Sequence, residues 1–349
     1  MKISTRNLIV WGGIILSIVS LYLAFAGQKI DWGLVWVSMG QIDWFWIILT
    51  IIPFWLTIAG KVFRHQVLLY PDKPPLGKLS NGLLISYLFN TALPARPGEV
   101  IRAYYIGETT GISKVRILST IFVEKVLDIL TLVIILALVL PFAPLPAELR
   151  GLVISLTITI VALFIIILAL AVKPAMAHRL ISALAKRLPA KLGSKVVGLV
   201  EQVLNGMTPL ANPRLAPALI FWSFFTWIMN AGTTLTVIVA FHLSVPVITA
   251  ALLLTVLFNL GLSIPTPAGV GPFEFITTRV IGGVFNVEDK NLVTAFTVVL
   301  HIIGFGPLVV VGFIVMLREG LSWGKLTQMG EQEKALEAKA LEEGVGGLG

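Results

Sequence analysis

"NTALPARPGEVIR", residues Asn90 to Arg102, decides how this chain is read. It follows the apolar stretch SNGLLISYLF and comes shortly before ILSTIFVEKVLDILTLVIILALVL. Pro94 and Pro97 each remove a backbone donor and clash with the preceding turn, so a helix stops here. Arg96, Glu99 and Arg102 put charge where hydrocarbon makes it expensive. Irregular backbone at membrane depth persists only where protein buries it or where it lines a water-filled cavity. The stretch therefore predicts the tip of a re-entrant element beside a polar cavity. Gly98 would permit a close approach or a positive φ. A new helix is expected to start near Glu99, whose carboxylate suits a helix N-terminus, and whose neighbouring free N–H groups suit an anion such as a phosphate.

The remainder of the chain supports a membrane setting. Of 349 residues, 57% are hydrophobic and 13% charged, against about 25% charged in soluble domains. The mean hydropathy is +0.94. The apolar residues form long runs, which predicts an all-α polytopic membrane protein; a barrel would alternate in ten-residue segments, and none are present. The net charge of +8 is read through the positive-inside rule rather than as a nucleic-acid surface. Cysteine is absent, which excludes disulfide and thiolate chemistry. The four histidines lie far apart without metal-ligand spacing, so structural or interfacial roles are expected, with no metal and no cofactor.

Six stretches are long enough to cross: roughly 7–26, 42–60, 117–140, 151–172, 217–243 and 291–317. Two more, about 80–106 and 247–283, are apolar but broken in the middle by Pro, Gly and charge. The first run ends in Ala24-Phe25-Ala26, which resembles a cleavage site, but it exceeds the ~7–15 apolar residues of a signal peptide and is read as a retained span. If the N-terminus is cytoplasmic and each broken stretch enters and leaves by one side, nearly all basic residues fall inside, Lys61 and Arg64 among them; only Lys29, Arg150 and Lys290 fall outside. The expectation is about six full spans plus two re-entrant or broken-helix hairpins, in the plasma membrane, with both termini cytoplasmic. Residues 27–41 and 141–150 read as short outer loops, and 173–216 as a basic linker whose MAHRLISALAKRL forms an interfacial helix. The membrane domain is taken as 1–325, with halves of about 1–140 and 151–325, followed by a charged tail at 326–349.

The two broken stretches repeat one another. Leu88-Phe89-Asn90 matches Leu257-Phe258-Asn259; Leu93 and Leu262 follow, then Pro94 and Pro265, then glycine, then Glu99 and Glu274. Pro267, Gly269 and Gly271 complete the second tip, and Arg279 lies one turn beyond Glu274. GVGPFE lacks the third glycine, preceding strand and lysine of a nucleotide loop. The halves read as inverted relative to each other, and paired broken helices in inverted halves point to a transport site at the midplane. Asn90 and Asn259 are placed to hydrogen-bond the broken backbone.

The charged residues leave alternatives open. Arg96 and Arg102 suit an anionic headgroup, with Glu99 setting their geometry; equally, Glu99 and Arg102 at i,i+3 suit an internal pair that holds the hairpin. Glu124 and Asp128 share a helix face. Glu124 is placed to pair with Arg96 or Arg102, or to take a proton or a cationic group of a substrate. Lys125 points elsewhere and is expected to snorkel to the cytoplasmic interface.

In order and spacing, NTALPARPGEVIRAYYI, GIS, FVEKVLDIL and SIPTPAGVGPFE resemble the signatures of the lysylphosphatidylglycerol synthase transmembrane region, also called the flippase-like domain family. The resemblance implies a helical membrane domain that moves or handles lipids, and Arg96, Gly98, Glu99, Arg102, Glu124, Asp128, Pro265, Pro267, Gly269, Gly271 and Glu274 stand at its motif positions. Full-length synthases of that family carry a soluble domain that transfers lysine; here the last span is followed only by a short tail, so lysyl transfer is not expected. Relatives without the soluble domain occur beside glycosyltransferases. The leading expectation is a lipid translocase for an anionic phospholipid, aminoacyl-phospholipid or polyprenyl-linked lipid. Arg96, Glu99, Arg102, Glu124, Asp128, Glu274 and Arg279 form its expected headgroup site. Expected partners are membrane lipids with anionic headgroups and a lipid-modifying enzyme or glycosyltransferase, with no nucleic acid. The rivals are an intramembrane headgroup transferase or phosphatase, which lacks a visible nucleophile–base pair, and a non-transporting scaffold.

Overall fold

The computed structural model describes residues 15, 17–25, 29–93, 96–144, single positions between 151 and 162, and 212–261 and 266–321. Pro94, Pro265, half of the 7–26 span, most of the 151–172 span, most of the 173–216 linker and the 326–349 tail lie outside the described residues.

All regular structure among the described residues is helical. Asp31 caps α1 (Trp32–Gly40) by accepting from the Gly33 and Leu34 N–H groups. Asp43 caps α2 (Trp44–Leu49), which runs on into α3 (Ile51–Leu68). The first broken stretch forms α4 (Leu76–Ala92) and α5 (Gly98–Thr110). Next come α6 (Lys114–Val139), with a 3₁₀ turn at Leu140–Phe142, and α7 (Ala216–Ala240). The second broken stretch forms α8 (Val247–Gly261), a 3₁₀ turn at Pro267–Gly269, α9 (Pro272–Thr278) and a π segment at Arg279–Val284. Asp289 caps the last helix, α10 (Lys290–Arg318).

Four of these helical stretches are long and apolar enough to cross a membrane: Trp44–Leu68, Lys114–Phe142, Ala216–Ala240 and Lys290–Arg318. They correspond to the sequence-based spans 42–60, 117–140, 217–243 and 291–317. Two expectations need correction. The connection at 27–41 is no plain loop, because Asp31 starts a helix there. The helix of the span expected to end at residue 60 continues to Leu68, so Lys61, Arg64 and His65 lie on it and pack within the bundle. The 17 residues of α4 and 13 of α5 fall short of the ~20 that a full crossing needs.

Apolar side chains pack into two cores. The first joins α3, α4, α5, the start of α6 and the end of α10, through residues such as Phe54, Phe89, Ile106, Ile117, Leu308 and Met316. The second joins α1, the end of α6, α7, α8, α9 and the start of α10, through Val35, Leu136, Val237, Leu254, Phe273 and Phe296. Small residues bring the helices close. A Cβ on Gly60 of α3 would lie 2.5 Å from Thr226 Oγ1 on α7, and one on Gly312 of α10 would lie 2.6 Å from the Leu84 carbonyl of α4.

A polar clasp ties the end of α10 to α4. Lys78 Nζ donates to Glu319 Oε2 at 2.9 Å, and Asn81 Nδ2 donates to Glu319 Oε1 at 2.8 Å. The Lys78 hydrogen bond holds the Glu319 carboxyl below the usual carboxylate range. A lowered folded-state value means that the clasp contributes fully above that range and fades as pH falls through it. Wild type is expected to lose slightly more thermal stability than Glu319→Gln between pH 6 and pH 4; equal losses would show that the clasp carries no charge-dependent term. The effect is small because the pair is solvent-screened.

Candidate functional site

Asp128 lies fourteen residues from either end of the Lys114–Phe142 span, at its midpoint. In lipid that position demands partners, and three converge on it. Arg64 Nη2 donates to Asp128 Oδ1 at 2.7 Å, Trp227 Nε1 donates to the same oxygen at 3.0 Å, and Lys61 Nζ lies 3.5 Å from Oδ2. Trp227 is itself near the middle of its span.

One turn earlier, Glu124 Oε2 accepts from Arg102 Nη1 at 2.7 Å. Arg102 Nη2 donates to His65 Nδ1, so His65 Nε2 carries the hydrogen and donates to Thr120 Oγ1 at 3.1 Å; that hydroxyl in turn donates to the Ile117 carbonyl at 2.7 Å. Arg64, His65, Arg102 and Glu124 are all at most 4% exposed. Of the two pairings open to Glu124, the structure shows the one with Arg102. It does not show the local Glu99–Arg102 pair, because Arg102 turns inward to α6. Glu99 Oε1 instead meets Lys125 Nζ at 2.9 Å. Lys125 was expected to point away and snorkel; its flexible stem bends toward α5 to neutralise Glu99.

Asn90 closes the first break. Its Oδ1 accepts from Gly98 N at 2.7 Å and its Nδ2 donates to Glu99 Oε2 at 3.1 Å. Gly98 serves close approach: a Cβ there would lie 2.1 Å from the Ser86 carbonyl. Pro97 immediately precedes α5, and Arg96 takes the left-handed region at φ 45°.

At the second break, Glu274 Oε2 accepts from Gly271 N at 2.7 Å, and Glu274 Oε1 meets His301 Nδ1 at 2.6 Å. Gly271 has φ 96° and Gly269 has φ 74°, both in the region that favours glycine. Pro267 opens the 3₁₀ turn. Among the described residues, Asn259 donates to the Thr255 carbonyl of its own helix at 2.8 Å and reaches Asn230 Oδ1 at 3.5 Å; residues 262–265 of the break lie outside the described residues. Arg279 is exposed, donates to the Leu23 carbonyl at 3.3 Å and lies over the Phe275 ring. Five residues at about 100° each place it about 140° around the helix from Glu274, facing outward.

Three neighbouring cavities that share wall residues lie where the two cores meet. The largest, about 310 Å³, is bordered by Lys61, Asn90, Arg96, Glu99, Lys125 and Asp128, with Ala268 of the second break also at its wall. A polar recess of about 30 Å³ extends toward Arg64, Ser86, Arg102 and Glu124. An apolar chamber of about 140 Å³ continues among Phe54, Ile58, Phe258, Phe273, Leu300 and Leu308. Lys61 and Tyr87 border all three, while Trp227, Asn259 and Phe305 border the two larger ones. The space thus grades from ion pairs at one end to hydrocarbon at the other. Arg96, Glu99 and Asp128 are brought to it directly, Arg102 and Glu124 through the recess; Glu274 and Arg279 border none of the three.

Lys61, Arg64, His65, Trp227 and His301 were not among the expected site residues. Lys61, Arg64 and His65 carried a readable signal, since they recur at helical spacing while Val62, Phe63, Val67 and Leu68 keep the segment apolar. His301 sits within an uninterrupted apolar run, where a polar residue normally faces protein.

Compared with known families, residues 10–312 match the family model described as "Lysylphosphatidylglycerol synthase TM region". A search of curated proteins found no match.

Proposed function

The chain belongs to the lysylphosphatidylglycerol synthase TM region family, and on that premise we propose that it is a lipid translocase, moving an anionic phospholipid, aminoacyl-phospholipid or polyprenyl-linked lipid between leaflets. The family supports a lipid-related membrane function. The observation that carries the finer reading is the mid-span cavity, charged at one end and apolar at the other.

In this reading the headgroup phosphate takes the place now held by weak internal pairs. Lys61 is the loosest partner of Asp128, at 3.5 Å. Releasing it toward a phosphate leaves Asp128 held by Arg64 and Trp227. Arg96 and Lys125 add two further cations to the same cavity. Arg64 and Arg102, buried and tied to carboxylates, act as scaffold and set the local field. The apolar chamber takes the start of a lipid tail while the rest remains in bilayer. The two breaks, as inverted elements, would admit the headgroup from opposite leaflets in turn. The plasma membrane, cytoplasmic termini and a lipid-modifying enzyme or glycosyltransferase as partner belong to the same proposal.

The test is a reconstitution in liposomes with fluorescent headgroup lipids (phosphatidylglycerol, its lysyl form and a polyprenyl phosphate), scored with an external quencher. Wild type is expected to accelerate movement of at least one. Lys61→Ala, which leaves Asp128 with two partners, is expected to slow it about tenfold or more, the loss of one charge-assisted hydrogen bond of ~1.5 kcal/mol. No acceleration by folded wild type for any of the three lipids overturns the proposal; a chemically altered lipid redirects it to an enzyme.

A further inference from the structure

We propose that Glu274 and His301 form a proton-binding site that couples lipid movement to a proton gradient, an inference that rests on the transport reading above. Glu124, the carboxylate that the sequence offered for this role, is already engaged by the Arg102 guanidinium. The second break supplies a different arrangement.

Glu274 is in the first turn of α9 and caps it through Gly271 N, so its geometry is set by the break itself. His301 is on α10, and its Nδ1 lies 2.6 Å from Glu274 Oε1. Facing an ionised carboxylate, which only accepts, Nδ1 carries the hydrogen. The Nε2 lone pair is then the atom that takes a proton: an N–H bond forms there as an O–H bond of hydronium breaks, giving an imidazolium–carboxylate pair, and release is the reverse. Histidine is the side chain suited to exchange between pH 5 and 8.

Among the described residues, Lys61 lines the chamber shared with Phe273 and Phe305, the rings flanking the pair, and Arg96, Glu99, Lys125 and Asp128 line the cavity that Phe305 also borders. The helices α1, α7 and α8, which pack on α9 or α10, contain no ionisable residue. On α4, Tyr87 borders the cavities and Lys78 is tied to Glu319 at the far end of α10. Arg279 turns away to the Leu23 carbonyl, Tyr22 of the 17–25 segment is 71% exposed, and Lys290 and Arg318 stand at the ends of α10. A proton on His301 is compensated by Glu274, its direct partner.

The pair also has a route to the lipid site. The His301 ring centroid lies 4.8 Å from that of Phe273, the neighbour of Glu274, and 4.8 Å from that of Phe305, one turn further along α10. Both rings wall the apolar chamber, and Phe305 also borders the charged cavity. Protonation turns the bond between break and span, already charged on its acceptor, into a full ion pair, so the two protonation states differ in how firmly these two rings are held, which is the differential contact that coupling requires.

Two measurements on the full chain test this. In detergent, ¹⁵N-imidazole NMR of wild type is expected to show one histidine resonance, absent from His301→Gln, that responds reversibly to pH and whose response is altered in Glu274→Gln. If that resonance does not respond to pH, the proton site is overturned, whatever the protein does to lipids. In liposomes carrying fluorescent phosphatidylglycerol, a pH gradient is expected to speed movement by wild type and to leave His301→Gln at its ungraded rate. A gradient response equal in the two proteins overturns the coupling. Absence of any lipid movement by wild type, with the titration intact, overturns the translocase and with it the coupling, but leaves the proton site standing.

Discussion

Arg102→Met leaves the Glu124 carboxylate buried without its guanidinium, and the protein is expected to lose about 3–5 kcal/mol of stability. Arg102 and Glu124 are each 4% exposed, and Arg102 is also the donor that orients His65. Desolvation leaves the paired state no more favourable than a well-packed apolar one, yet makes the half-removed state very costly. The double replacement Arg102→Met with Glu124→Met is therefore expected to recover most of the loss. Thermal unfolding in detergent reads both, and a single replacement costing under about 1 kcal/mol would show that the pair is solvated.

Gly98→Ala is the second large effect. The added Cβ would lie 2.1 Å from the Ser86 carbonyl and 2.6 Å from Asn90 Oδ1, the atom that accepts from Gly98 N. Relief requires the break to move off α4 and Asn90 to lose its bond, at a cost of about 3 kcal/mol or more. Gly77→Ala is the contrasting control. It lies in the first turn of α4 with open space where the Cβ would go, and it is expected to stabilise by up to about 1 kcal/mol through helix propensity. Opposite signs in unfolding midpoints would support the tight break; equal effects would argue against it.

Which parts of this arrangement could be read from sequence follows from the range of each force. Apolar runs and breakers act over one or two turns, so the helical class, the four spans, the halt before Pro97 and the restart beside Glu99 were legible. Pairing across helices was legible only as alternatives. Glu99 and Arg102 are three residues apart and looked like a local pair, but each is satisfied by α6, through Lys125 and Glu124. Lys61 and Arg64 were read as the end of a span because an isolated helix cannot carry them into lipid. Asp128 offsets that cost from another helix, and nothing near residue 61 announces it. Arg279 shows the converse: proximity in sequence to Glu274 suggested a shared site, while the helix turns the two apart.

The sharing of α10 between the two cores has a consequence for biosynthesis. Leu308 and Met316, at the far end of α10, complete the core that Phe54, Phe89 and Ile117 begin, and Gly312 seats directly on the α4 backbone. That core stays unfinished while the ribosome makes the whole second half of the chain. The early helices must wait in the bilayer with an unsatisfied face, departing from the rule that N-terminal units fold as they emerge. A nascent chain halted before Leu308 would expose that face to lipid and to membrane quality control.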